Sequence, residues 1–170
     1  RWGSRGLGDV YKRQILDDAD SDALLSEVIR DLDPGFFKSK ENPKAKPIKG
    51  IISFSRNVMV PVEDVAKGRY PSNSELLAKI DSFMRDYQDT KIRRGLADYD
   101  DLLVLWLQVL ETNKEAARYY QERFSHILVD EYQDVNSLQS KIVDKNASNQ
   151  QSMAGGDDAQ CIYTSRGADI

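Results

Sequence analysis

Hydrophobic positions recur at helical spacing soon after the start of the chain, from Asp17 onward. Apolar residues that fall on one face at this spacing predict an amphipathic helix. Ser21 is the candidate N-cap of this helix, and Pro34-Gly35 is its expected end. The apolar face consists of Leu24, Leu25, Val28, Ile29 and Leu32.

All five prolines lie between residues 34 and 71, which predicts short helices separated by turns. Ile48 to Arg56 is one candidate, and Pro61 is expected at the first position of another. Two longer helices follow, the second with Asp98 as its N-cap. The apolar stripe of the first contains Leu76, Leu77, Ile80, Phe83, Met84 and Tyr87, and that of the second contains Leu102, Leu103, Trp106, Leu107 and Leu110.

The pattern changes after a further helical stretch from Ala116 to Arg123. Ile127 to Val129 is a short apolar run bounded by charged residues, which predicts a fully buried strand of a parallel sheet. A helix is expected from about Asn136 to Asp144. Beyond it, residues 152–155 make a poor strand, and a glycine-rich loop follows at Gly155-Gly156.

Composition excludes several classes of protein. The net charge of -4 argues against a protein that coats nucleic acid with its whole surface. No apolar run approaches the roughly 20 residues that span a bilayer, so no membrane association and a cytoplasmic location are expected. Cys161 and His126 are the single residues of their types, so a bound metal is expected to have oxygen ligands.

Asp130 and Glu131 directly follow the predicted strand. Ligands of open parallel sheets bind outside the carboxyl ends of the strands, so these acids lie where a ligand is expected. A first carboxylate there can hold hydrated Mg²⁺, and a second can orient or deprotonate a water molecule. An adjacent acid pair is weak evidence by itself, because such pairs more often cap helices or face solvent.

The surrounding motifs make the pair more specific. DEYQD at 130–134 is followed by GDDAQCIY at 156–163 and RGAD at 166–169. In content and order these resemble motifs II and III of superfamily 1A DNA helicases, the UvrD/Rep/PcrA group. Residues 98–103, DYDDLL, resemble the segment that follows subdomain 1B in that family. The resemblance covers roughly residues 15–170.

The resemblance implies a fold and a domain division. The expected fold class is α/β, a partial RecA-like (P-loop NTPase) parallel sheet with a mostly helical 1B insertion. Residues 15–97 are assigned to the 1B-like subdomain and 98–170 to part of domain 1A. Residues 1–14 lack a helical or strand period and are interpreted as foreign to the fold, for example a cloning scar.

Roles carry over from the resemblance to matching positions. Asp130 is expected to coordinate Mg²⁺, and Glu131 to act as the base in ATP hydrolysis. Gln160 is expected to sense the γ-phosphate, while Tyr163 and Arg166 are expected to lie along single-stranded DNA. Gln133 and Asp134 match the motif and are interpreted as links between the ATP site and neighbouring loops.

The sequence also departs from the family pattern. Ser165 stands where an aromatic residue commonly stacks on a base, and Cys161 where serine is usual. No G-x-x-x-x-G-K-[ST] phosphate-binding loop occurs in the sequence. The chain is therefore expected to be a fragment that does not bind ATP tightly or hydrolyse it by itself.

Two functions remain open from the sequence. The resemblance favours part of an ATP-dependent 3′ to 5′ DNA helicase or translocase of repair or replication, with ATP and Mg²⁺ as cofactors. Its expected partners are single-stranded DNA and junctions of single- and double-stranded DNA. The alternative is a non-catalytic DNA-binding or scaffold module that has lost its phosphate-binding loop.

Overall fold

A computed structural model describes residues 13–147 and 151–156 of the chain. The described part is mixed α/β and mostly helical, with four short strands. Its helices are α1 (Asp18–Leu32), α2 (Ala45–Val58), α3 (Val62–Arg69), α4 (Ser74–Arg94), α5 (Tyr99–Thr112), α6 (Lys114–Arg123) and α7 (Ser137–Ala147). Its strands are β1 (Gln14–Ile15), β2 (Leu96–Ala97), β3 (His126–Val129) and β4 (Gln151–Ala154).

The described residues divide into two compact units. The first contains residues 13–52 and 62–99, and the second contains residues 53–61, 100–147 and 151–156. Helix α2 therefore contributes its first part to one unit and its last turns to the other. Each unit has one pair of parallel strands, β1 with β2 and β3 with β4.

The first unit is built around the apolar faces of α1 and α4, which pack against each other. Phe36, in a short 3₁₀ helix (Phe36–Lys38), meets the ring of Phe83 edge-on, with 5.0 Å between the centroids. The predicted stripe of α4 is confirmed: four of its residues are buried, and Leu77 and Met84 pack against the same core. The four are Leu76, Ile80, Phe83 and Tyr87.

The start of α1 differs from the prediction. Asp17, not Ser21, is the N-cap, and its carboxylate accepts a hydrogen bond from the backbone N of Asp20 at 2.8 Å. Ser21 lies inside the helix, where it is buried. Asp and Ser both cap helices well, so residue type alone does not determine which of them begins the helix. The end predicted near Pro34 is confirmed, because α1 stops at Leu32.

Helix α4 ends in a left-handed residue. Gly95 has φ +66°, and its N–H points back to the carbonyl of Ile92 at 3.3 Å. Glycine adopts this conformation without the steric cost that other residues meet. The chain can thus turn directly into β2, which pairs in parallel with β1, Gln14 beside Leu96 and Ile15 beside Ala97.

An ion pair is buried just after β2. The Nζ of Lys91 and the Oδ2 of Asp98 are 2.5 Å apart, and the hydroxyl of Tyr87 donates to the same oxygen at 3.0 Å. All three residues are almost fully buried. Asp98 was predicted to cap α5, and it directly precedes that helix. Its carboxylate accepts hydrogen bonds from Tyr87 and Lys91, both in α4.

The second unit places β3 beside β4 in parallel. Ile127 lies beside Ser152, and Leu128 lies beside Met153. Residues 152–154 form a strand despite their poor strand composition, because the ladder to β3 supplies backbone hydrogen bonds that do not depend on side-chain type. Helix α6 packs along α7, and Gln121 donates to the carbonyl of Lys145 at 2.7 Å.

The prediction that Ile127 to Val129 is a fully buried strand was wrong within the described residues. Leu128 is 76% exposed, and its neighbour Met153 is 69% exposed. The sheet of the second unit has two strands in the described part of the chain, and no described element covers the face that carries these side chains. The predicted parallel pairing, in contrast, is confirmed.

Candidate functional site

The acidic motif lies where two parallel strands end side by side. Strand β3 ends at Val129, and residues 130–136 connect it to α7. The backbone N of Gly155, directly after β4, donates to the carbonyl of Val129 at 2.9 Å. The carbonyl of Gly155 in turn accepts from the backbone N of Tyr132 at 2.9 Å. We call residues 130–136 the acidic loop and Gly155-Gly156 the glycine loop. The two hydrogen bonds attach these loops to each other at the carboxyl edge of the sheet.

Asp130 is the first residue past the strand, and its side chain is exposed. Its Oδ1 accepts a hydrogen bond from the backbone N of Glu131 at 2.9 Å. This local contact fixes the rotation of the carboxylate, while its second oxygen has no hydrogen-bond partner among the described residues. The group is therefore oriented by the backbone and accessible to a ligand.

Glu131 has an unusual backbone conformation, with φ 52° and ψ 44°. The left-handed region costs a residue other than glycine roughly 1–3 kcal/mol, and such conformations concentrate at functional sites. Its Oε2 accepts a hydrogen bond from Nε2 of Gln133, which is 4% exposed. The positive φ turns the chain after Asp130, and the buried amide then holds the second carboxylate in place.

The glycine loop approaches the acidic loop closely at one residue. A side chain placed on Gly156 would overlap Oε1 of Gln133 and would come within 3.0 Å of the backbone N of Tyr132. Gly155 has open space at the corresponding position. Glycine at 156 therefore allows the two loops to come together, and the Gln133 amide fills the space between them.

The donor set fits one kind of metal site better than another. No group of three or more histidine, cysteine, aspartate or glutamate side chains capable of holding a metal is present in residues 13–147 and 151–156. A closed, all-protein metal cage is thus absent from that part. Mg²⁺ commonly takes only one or two carboxylates and completes its shell with water and phosphate oxygens, and the accessible carboxylate of Asp130 fits that role.

The structure brings together only part of the predicted site. Asp130, Glu131, Gln133 and Asp134 lie in one loop, with Gln133 and Asp134 in a 3₁₀ helix (Tyr132–Asp134). Asp134 donates its backbone N–H to the carbonyl of Glu131 at 2.9 Å. The remaining predicted residues lie outside the described residues: Gln160, Cys161, Tyr163, Ser165 and Arg166.

Sequence reasoning missed a polar network behind this loop. Asn57, near the end of α2, donates to Oδ1 of Asp100 at 3.0 Å and accepts from Nδ2 of Asn136 at 3.1 Å. The preceding residue, Arg56, pairs with Asp101 at 2.8 Å. These contacts join residues more than 40 positions apart, and no local pattern in the sequence indicates that they pair.

Comparison with known proteins identifies the family. The model of the UvrD/REP helicase N-terminal domain matches residues 10–170. The chain belongs to the UvrD/REP helicase family. Its similarity therefore extends far beyond the DEYQD motif and includes both compact units.

Relatives within the UvrD/REP family carry helicase names. The chain is 32% identical to the ATP-dependent DNA helicase PcrA of Bacillus subtilis (strain 168) over 92% of its length and 20% of the relative's. It is 32% identical to that of Leuconostoc citreum, covering 100% of the chain and 22% of the relative. The chain thus spans about a fifth of the length of these curated relatives.

No helix in the described ranges is both long enough and apolar enough to cross a membrane.

Proposed function

We propose that the protein containing these residues is an ATP-dependent DNA helicase, and that residues 130–134 belong to its ATP-hydrolysing site. One observation carries the proposal: Asp130 and Glu131 stand at the carboxyl edge of a parallel strand pair, against a glycine loop. Sheets of this kind bind ligands at that edge. The names of the UvrD/REP relatives supply the reaction class.

Asp130 is the residue we propose to hold Mg²⁺ through its accessible carboxylate. Bound Mg²⁺ would neutralise charge on the β- and γ-phosphates. The hydrogen bond from the Glu131 backbone N orients the carboxylate before any ligand arrives. A preoriented acid loses little freedom on binding, which favours the metal–nucleotide complex.

Glu131 is the proposed general base. Its carboxylate would accept a proton from the water that attacks the γ-phosphate, which requires it to reach a different position from Asp130. The left-handed backbone of Glu131 provides the change of direction between the two adjacent acids. The hydrogen bond from Gln133 limits the motion of the carboxylate.

The remaining roles rest on motif resemblance. Gln160 is proposed to respond to the γ-phosphate, and Tyr163 and Arg166 to contact single-stranded DNA. An amide suits the first role because it donates and accepts hydrogen bonds without a charge. Stacking and backbone contacts of this kind allow an acidic protein to bind a single strand.

The wider assignment is also a proposal. Residues 98–170 would form part of a RecA-like domain 1A, and residues 15–97 a 1B subdomain. The whole protein would move 3′ to 5′ on single-stranded DNA, use junctions of single- and double-stranded DNA in repair or replication, and work in the cytoplasm.

A non-catalytic scaffold is the competing function. If these acids were buried, a scaffold that had lost the metal would carry their large desolvation cost. The presence of the acids would then argue against the scaffold. Asp130 and Glu131 are exposed in the described residues, so this burial argument does not apply. What supports catalysis is the strained, oriented geometry of the pair, because a solvated loop end needs neither feature.

The test is Mg²⁺-dependent ATP hydrolysis by the intact gene product, with and without single-stranded DNA. The wild type is expected to hydrolyse ATP faster with DNA, and Asp130→Asn is expected to reduce kcat by about 100-fold or more. Asp144→Asn, which changes an exposed acid on α7, is the matched control and should behave as wild type. A wild type without ATPase activity at any Mg²⁺ concentration would support the scaffold instead.

A further inference from the structure

We propose that Asn57 is a positioning residue for the acidic loop, although it lies far from that loop in the sequence. The inference rests on the proposed function for its effect on catalysis. It goes beyond that function by assigning a role to the polar network formed by Asn57, Asp100 and Asn136.

Both polar atoms of the Asn57 side-chain amide have hydrogen-bond partners. Its Nδ2 donates to Oδ1 of Asp100 at 3.0 Å and to the carbonyl of Ser53 at 2.9 Å. Its Oδ1 accepts from Nδ2 of Asn136 at 3.1 Å. A side chain that donates on one side and accepts on the other can bridge an acid and an amide, which neither aspartate nor alanine can do.

Asn136 is the point at which the network reaches the acidic loop. It is 5% exposed and forms the N-terminal cap of α7: its Oδ1 accepts from the backbone N of Gln139 at 2.9 Å. Oε1 of Gln139 accepts from the backbone N of Asn136 at 3.1 Å, so the two residues form a reciprocal capping arrangement. The cap uses the oxygen of the Asn136 amide, and Asn57 uses its nitrogen.

The two contacts together define the orientation of the Asn136 amide. A flipped amide would lose both the cap to Gln139 and the hydrogen bond to Asn57. Partly buried amides keep such contacts because an unsatisfied polar group is costly. Asn57 therefore fixes the residue at which the acidic loop becomes helix α7.

The other side of the network is anchored by charge. Asp100 and Asp101 are consecutive in the first turn of α5, and Asn57 and Arg56 are consecutive in the last turn of α2. The Arg56–Asp101 pair has side chains only 14% and 8% exposed. The Arg56–Asp101 ion pair and the Asn57–Asp100 hydrogen bond together fix the position and the rotation of the last turn of α2.

The acidic loop is short, so its two ends determine its path. At one end, Gly155 holds Val129 and Tyr132 through backbone hydrogen bonds. At the other end, Asn57 holds Asn136. Displacement of the second anchor shifts the 3₁₀ helix that contains Gln133, and with it the carboxylate of Glu131. Such small displacements reduce catalysis strongly because reacting groups need close alignment.

The experiment compares four variants of the intact gene product. Asn57→Ala removes the bridge, and Asn57→Asp places a second carboxylate against Asp100. The double variant Asn57→Asp with Asp100→Asn restores the hydrogen bond between positions 57 and 100 in the reverse direction at unchanged net charge, while the donation to the carbonyl of Ser53 stays lost. Asn146→Ala is the matched control, since among the described residues Asn146 donates only to the carbonyl of Ile142 within its own helix, at 2.8 Å.

Two readouts separate positioning from a general loss of stability. The first is kcat against KM for ATP, with single-stranded DNA saturating. The second is amide hydrogen exchange in peptides covering residues 130–140, compared with peptides from α4 in the first unit. A positioning role predicts faster exchange in the loop peptide with unchanged exchange in α4.

Asn57→Ala and Asn57→Asp are each expected to lower kcat by about tenfold or more, with KM for ATP nearly unchanged. The double variant is expected to recover much of the kcat lost in Asn57→Asp, and Asn146→Ala to match wild type. Unchanged loop exchange and unchanged kcat in Asn57→Ala would overturn the inference, as would equal losses in Asn57→Asp and the double variant.

The two proposals fail in different ways. A wild type that hydrolyses no ATP would overturn the proposed function. The exchange measurement would still decide whether Asn57 positions the loop, because it does not depend on activity.

Discussion

Lys91 and Asp98 form an ion pair in the interior of the first unit, with Nζ and Oδ2 2.5 Å apart and side chains 1% and 6% exposed. Lys91 also lies over the ring of Tyr87, 4.3 Å from its centroid. The pair joins the end of α4 to the residue before α5. Charges this deeply buried are stable only when both partners are present.

Removing one partner should therefore cost much more than removing both charges. Lys91→Met leaves the carboxylate of Asp98 buried without its cation, and we expect a loss of about 3–5 kcal/mol in the stability of the first unit. Lys91→Met combined with Asp98→Asn is expected to lose clearly less. Hydrogen exchange of peptides from α4 measures the stability of the first unit in both variants. Equal losses of stability in the single and the double variant would show that an unpaired buried charge is not the cause of the destabilisation.

A second prediction concerns pH. The hydrogen bond from Lys79, 2.6 Å from Asp33, lowers the pKa of the Asp33 carboxyl, and the same contact raises the pKa of Lys79. A lowered carboxyl pKa stabilises the fold above the ordinary value of about 4, and that stability is lost as the pH falls through the lower folded pKa. The raised Lys79 pKa contributes stability that is lost only at alkaline pH.

Lys79→Met should thus destabilise the protein near pH 7 and much less near pH 2. Urea unfolding followed by circular dichroism across this range is the measurement. Lys67→Met, which changes an exposed lysine on α3, is the control and should show no such pH-dependent difference. A Lys79→Met effect that is constant from pH 2 to pH 7 would rule out the linkage to Asp33.

A third prediction separates the two adjacent glycines of the glycine loop. Gly156→Ala brings a methyl group against Gln133 and the Tyr132 backbone, so it should displace the acidic loop and lower kcat for ATP by about tenfold or more. Gly155→Ala meets open space and should retain activity. Steady-state ATPase measurements on both variants decide this, and equal activities would mean that the close approach at Gly156 has no role in catalysis.

Local patterns predicted much of the helical structure. The stripe from Leu76 to Tyr87 predicted a long helix, because only a helix places apolar residues at this spacing on one face. Helix α4 confirms this prediction. The sequence around Ser21 was less decisive, since Asp17 is an equally good cap. Local signals locate a helix well but determine its first residue poorly.

Features that depend on distant partners could not be predicted in this way. Leu128 looked buried because its neighbours are apolar, yet its exposure depends on which elements cover the sheet. Asn57 and Asn136 are 79 residues apart, and no local pattern links them. The acidic pair was found because DEYQD and the motifs that follow it are continuous in the sequence, whereas the network of Asn57, Asp100 and Asn136 is formed only by the fold.

The most direct test of the central claim is the behaviour of Glu131→Gln in the intact gene product. Glutamine keeps the size of the side chain and can still accept a hydrogen bond, but it cannot take a proton from water. We expect ATP binding with Mg²⁺ close to that of wild type and a loss of DNA-stimulated hydrolysis of at least about 100-fold. Hydrolysis at the wild-type rate in this variant would contradict the assignment of Glu131 as the base.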